Sequence, residues 1–126
     1  MRVKADAVEK LTQSHPEWLQ PYKQELMELA YVAEQQEVSW HLAQMLPRLV
    51  LSSEEVHQLV DVFRGYLSDT SKIVQTFSLQ ALADLTEQDE SILPDIIGII
   101  RAHMQNGSPA VNARGRKILA NLTKHE

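Results

Sequence analysis

The chain has 126 residues, 44% of them hydrophobic and 23% charged, with no cysteine and a formal net charge of −5. That length gives one domain with room for a continuous core, and the balance excludes a disordered chain. The lack of cysteine excludes disulfides and thiolate metal sites, and no apolar run approaches the roughly 18 residues of a membrane span.

The first predicted element is a lone helix over 3–13, with Val3, Ala7, Val8 and Leu11 as its apolar stripe. Ser14, His15 and Pro16 end it, and Ser14 stands before Glu17 at the spacing of a capping box. A second helix is predicted from Pro16 to about Ala33, bent at Pro21, with Leu19, Tyr22, Leu26, Leu29 and Ala30 inward. The polar stretch 34–37 reads as a turn. The next helix, 38–51, has Val38, Leu42, Met45, Leu46 and Leu49 inward and a kink at Pro47. Ser52 and Glu55 form a second capping box, opening a helix to about Leu67 through Val56, Leu59, Val60 and Phe63.

After the turn 68–71 comes a helix to Leu85 whose Val74, Phe77, Ser78, Ala81, Leu82 and Leu85 share one face. A turn at 87–91 leads to the very apolar helix 92–104. Ser108 then supplies an N-cap and Pro109 a first-turn proline. The last helix, 110–122, turns Val111, Gly115, Ile118, Leu119 and Leu122 inward. Gly98 and Gly115 read as sites of close helix approach, and Gly107 as a positive-φ turn.

Four of these helices share one skeleton, a valine, a small or apolar residue four on, and a leucine eight on. It occurs at Val3/Ala7/Leu11, Val38/Leu42/Leu46, Val74/Ser78/Leu82 and Val111/Gly115/Leu119, with the valines 35, 36 and 37 residues apart. The preceding helices keep the same register. Met27, Phe63 and Ile100 coincide eleven residues before each valine, Leu26, Val62 and Ile99 twelve before, and Tyr31, Leu67 and Met104 seven before. A period of this length is that of stacked helical hairpins, each made of two helices and two turns.

With that register the chain resembles a HEAT-repeat protein, an armadillo-like helical solenoid, from about residue 3 to residue 122. The family's hairpin has an aspartate in the inter-helix turn, a valine five residues later and a basic residue directly after it. Asp69 and Val74 match, with Gln75 in the basic position; Asn106 and Val111 match approximately, with Asn112 in that position. The second repeat has Ala33 and Ser39 instead, so the family's Asp–Arg ladder is mostly missing. The resemblance implies an all-α fold, a right-handed α-α superhelix of about seven helices. It forms a single domain over 1–126, with a lone helix at 3–13 and hairpins at about 16–51, 53–86 and 92–123.

It also implies that the second helix of each hairpin lines the concave side. Six residues after each valine stand Gln44, Gln80 and Lys117; ten after stand Arg48, Asp84 and Asn121; two after the first stands Trp40. A tryptophan between glutamine and arginine has the composition of a protein-interaction hot spot, though it could equally fold back as partial core. These seven side chains are the candidate partner-binding residues.

No chemistry is anchored here. The five histidines are never three or four apart, no phosphate loop exists, and no serine sits in a nucleophile context. His41, at an inner helix turn, reads as a core histidine. The expectation is a non-enzymatic scaffold with no metal and no cofactor, binding a protein or peptide segment in the cytoplasm, since the opening MRVKADAVEK has no leader-like apolar stretch. The competing expectation is a nucleic-acid binder. One form of it resembles the helical-repeat DNA glycosylases, with Trp40 and Asp84 in the aromatic and acidic roles. The other uses the basic end of the chain. Residues 1–100 hold 7 Lys/Arg against 16 Asp/Glu, whereas 101–126 hold Arg101, Arg114, Arg116, Lys117 and Lys124 against Glu126. The acidic body argues against nucleic acid as partner. A third expectation is a homodimer, because the lone first helix leaves an apolar edge near Val8 and Trp18.

Overall fold

Serines and prolines at the turns decide where the backbone leaves one helix and enters the next. The computed structural model describes residues 2–124, and side chains from residue 7 onward, so the anchor Val3 lies outside the described side chains. Among the described residues there are seven α-helices and no strand. They are α1 Arg2–Ser14, α2 Lys23–Val32, α3 Gln36–Met45, α4 Ser53–Tyr66, α5 Lys72–Leu85, α6 Leu93–Met104 and α7 Pro109–Thr123. The fold is all-α.

Serine caps open three of these helices, the expected ones at Ser52 and Ser108 and a further one at Ser71. Glu55 N–H donates to Ser52 Oγ at 3.1 Å while Ser52 N–H donates to the Glu55 carboxylate at 2.8 Å. The Ser52 amide, followed by Lys23 at 3.0 Å, holds Glu55 below the usual carboxylate range. Ser71 and Ser108 accept from the amides of Val74 and Val111, each at 3.3 Å.

Packing follows the repeat. The odd helices α1, α3, α5 and α7 lie side by side in chain order, and the even helices cover them, α4 on α5 and α6 on α7 most extensively. Val38, Val74 and Val111 are buried at 8%, 0% and 0% exposure, and Met27, Phe63 and Ile100 join them in one core. Tyr66 bridges two repeats by donating to the Ala30 carbonyl at 2.6 Å. Burial pushes its phenol up to about 12, so it stays a donor.

Uncharged side chains join neighbouring hairpins at the Asp69 turn. Gln36 Nε2 donates to Asp69 Oδ1 at 2.8 Å, joining one repeat to the next. Gln75 Nε2 donates to the Asp69 carbonyl at 2.8 Å, and Gln75 Oε1 lies 3.1 Å from His103 Nε2. Burial lowers the His103 pKa.

Several expectations are corrected. The segment 16–33 is not one bent helix. Pro16 and Pro21 each remove a donor, and the backbone makes two 3-10 turns, Pro16–Trp18 and Gln20–Tyr22, before α2 begins. No capping box forms at Ser14, which is still the last residue of α1; His15 takes the cap position and stacks on Trp18 at 4.0 Å. Tyr22 and Tyr31 are exposed rather than inward, because no helix precedes α2 in its layer to cover them. Pro47 does not kink a continuing helix: α3 stops at Met45 and a 3-10 turn, Leu46–Arg48, passes into extended backbone at Leu49.

The largest correction is in α1. Its stripe of Ala7, Val8 and Leu11 faces solvent, while Glu9 and Thr12 are the buried residues, at 4% each. The buried side of α1 instead meets Arg48, which follows α3 and bonds both Glu9 and Thr12. Gly115 serves close approach, a Cβ there falling 2.6 Å from Met104 Sδ; Gly98 is open, and Gly107 has no positive φ but leaves room for the Asn112 side chain, which a Cβ would meet.

Candidate functional site

The rise of about 1.5 Å per residue puts positions four apart one above the other on a helix. Gln80 and Asp84 on α5 therefore stand in line, and Gln80 Nε2 donates to Asp84 Oδ1 at 2.9 Å. The equivalent positions of α3 are Gln44 and, past its end, Arg48. Between these two rows lies an open depression of about 470 Å³, with Ala43, Pro47 and Phe77 as its apolar walls and Glu87 and Gln88 at one end. A second depression of about 620 Å³ lies between α5, the turn after it and α7, walled by Leu93, Pro94, Ile118 and Leu122 with Asn121, Glu87 and Glu90. Gln80, Asp84 and Glu87 line both, so the two adjoin along α5.

Five of the seven side chains selected from the repeat register line this groove: Gln44, Arg48, Gln80, Asp84 and Asn121. Trp40 lines neither depression. It is half-buried, edge-on to Phe77 at 5.5 Å and to His41 at 4.9 Å, and its Nε1–H is buried with no hydrogen-bond acceptor. Its contact with the groove is therefore indirect, through Phe77. Lys117 is exposed and also lies outside the two linings. Exposed Arg114, Lys117 and Lys124 follow one another along α7 at helical spacing, apart from Arg116. His41 is buried, its Nδ1 against the Glu37 carbonyl, in keeping with a core histidine.

Arg48 is at the groove edge but already engaged. Its guanidinium meets Glu9 Oε2 at 2.6 Å and donates to the Glu9 carbonyl at 3.0 Å and Thr12 Oγ1 at 3.1 Å. Gln88 is likewise occupied. It donates to the Leu49 carbonyl at 2.8 Å and accepts from Leu51 N–H at 3.0 Å, fixing the loop after α3; Gln20 fixes the same loop through Val50. The groove's outstanding charge is negative. Among the described residues Asp84, Glu87 and Glu90 have no ion-pair partner. Burial, reinforced by the nearby Glu87 charge and opposed by the Gln80 bond, raises the Asp84 pKa above the ordinary carboxylate value.

Sequence reasoning missed Phe77 as a groove residue because periodicity placed it on the inner face, where it is half-buried at the boundary. It missed Glu87, Gln88 and Glu90 because they lie in a turn outside the repeated skeleton. The run of acids there was the available signal. Among the described residues no three His, Asp or Glu side chains converge to hold a metal ion, and no helix is long and apolar enough to cross a membrane. No protein-family model, curated protein or solved structure matches the chain.

Proposed function

We propose that this chain is a non-enzymatic interaction module, a short HEAT-like solenoid of the cytoplasm whose groove along α3, α5 and α7 receives a segment of a partner protein. One observation carries it: five side chains picked from repeat spacing alone line two adjoining open depressions of mixed apolar and polar character. Packed hairpins hold such a groove rigid, which lowers the ordering cost of binding an extended segment. No nucleophile with an adjacent base lines it, so the groove's polar groups serve recognition.

A random-peptide display selection against the full chain tests this. Peptides should be recovered that no longer bind Gln80→Trp, which places an indole where the depressions meet, with helical circular dichroism unchanged. Recovery of nothing, or of peptides indifferent to that substitution, would overturn the proposal.

A second reading has its own observation. Val8, Leu11 and Trp18 are 39%, 60% and 52% exposed at the α1 end, whereas no large apolar side chain of α6 or α7 is comparably exposed. One apolar end and one polar end favour pairing of two copies through α1, end to like end, over head-to-tail stacking. Light scattering should show a concentration-dependent dimer that Leu11→Glu converts to monomer. A strict monomer for the native chain at high concentration removes this reading.

A further inference from the structure

We infer that the groove selects a basic segment, a lysine or arginine of the partner laying its aliphatic stem on the groove wall and its charged head against Asp84. This rests on the groove reading of the preceding section and adds the chemistry of the occupant. The sign of the charge comes first. Three carboxylates, Asp84, Glu87 and Glu90, line the groove without an ion partner among the described residues, and its one arginine is held by Glu9. An acidic peptide or a phosphate backbone meets repulsion there, and a cation meets attraction.

The geometry of Asp84 narrows this to a side chain rather than diffuse charge. Gln80 holds Oδ1 at 2.9 Å and thereby fixes the carboxylate plane, leaving Oδ2 for an incoming donor. The carboxylate is half-buried beside apolar walls, Phe77 and Pro47 on one side and Pro94 and Ile118 on the other. Long basic side chains are amphipathic in the matching way, with a methylene stem that covers apolar surface and a head that makes a charge-assisted hydrogen bond. Phe77 puts an aromatic ring in the same wall, a group that attracts such a head. The raised Asp84 pKa has the same origin: a carboxylate losing water without gaining a cation is stabilised when a cation arrives.

The test uses the peptides recovered in the display selection. They should be enriched in Lys and Arg relative to the naive library. The tightest one, titrated by calorimetry against the full chain, should lose about tenfold in affinity when its essential basic residue becomes Gln. Asp84→Asn should lose a similar factor with that peptide, and combining the two changes should cost little more than either alone. Glu87→Gln, at an exposed position, should weaken binding by a smaller factor that disappears at high salt. Groove-dependent peptides with no basic excess, or full affinity in Asp84→Asn, would overturn this inference and leave the groove reading standing. Absence of any groove-dependent peptide would overturn both.

Discussion

Leu82→Ala should lower the unfolding free energy by about 2–5 kcal/mol, whereas Gln80→Ala should change it by no more than about 0.5 kcal/mol. The two positions are two residues apart on α5 and so point to nearly opposite sides of the helix. Leu82 is fully buried in the seam shared by α4, α5 and their neighbours, at 0% exposure. Removing it leaves a cavity that the stacked helices cannot collapse into, because each is pinned by the next. Gln80 faces the groove, and its bond to Asp84 sits where water can replace it. Urea titrations that give parallel slopes and a large midpoint shift for Leu82→Ala alone are the expected outcome. Equal losses at the two positions would mean that the faces of α5 are assigned the wrong way round.

Periodicity carried the interior of the chain well because α3 and α5 have neighbours on most sides and α7 packs its valine face on α5 and α6. With Val38, Val74 and Val111 all inward, burial and register cannot disagree without exposing a whole stripe. The caps at Ser52 and Ser108 were legible because a side-chain acceptor at a fixed spacing is a local device that needs no tertiary partner. Prolines were legible only as punctuation. Pro21 and Pro47 announce an interruption, but whether the chain bends, tightens into a 3-10 turn or leaves the helix depends on what lies beyond it. At Leu49 that is the pair of glutamines, Gln20 and Gln88, which bind the extended loop from both sides.

The groove was legible to the extent that the repeat makes it. Offsets six and ten from the valine select side chains that the hairpin turns away from the core, so Gln44, Gln80 and Asp84 arrive together. The acids after α5 follow no repeat, and their place on the groove comes from the turn that carries the chain into α6. Trp40 illustrates the limit. The sequence left hot spot and core equally open; the half-buried ring packs on Phe77 and makes the wall on which groove residues rest.

The end of the array is where sequence reasoning failed, and Arg48→Met tests the reason. The substitution keeps the length of the stem and removes the guanidinium, so it isolates the charge. Glu9 then keeps a carboxylate with 6% side-chain exposure and no cation, and Thr12 loses a donor. Because the Arg48 side chain is itself 20% exposed, the cost should lie between that of surface and fully buried pairs, about 2–3 kcal/mol. The loss should concentrate in α1, whose amides would exchange with solvent faster while those of α5 keep their protection. Glu9→Leu combined with Arg48→Met should recover most of the stability, since neither charge is then left alone. If Arg48→Met is neutral and α1 stays protected, the ion pair does not decide how α1 lies. Arg48 would then be available to a partner, as its place in the repeat suggested.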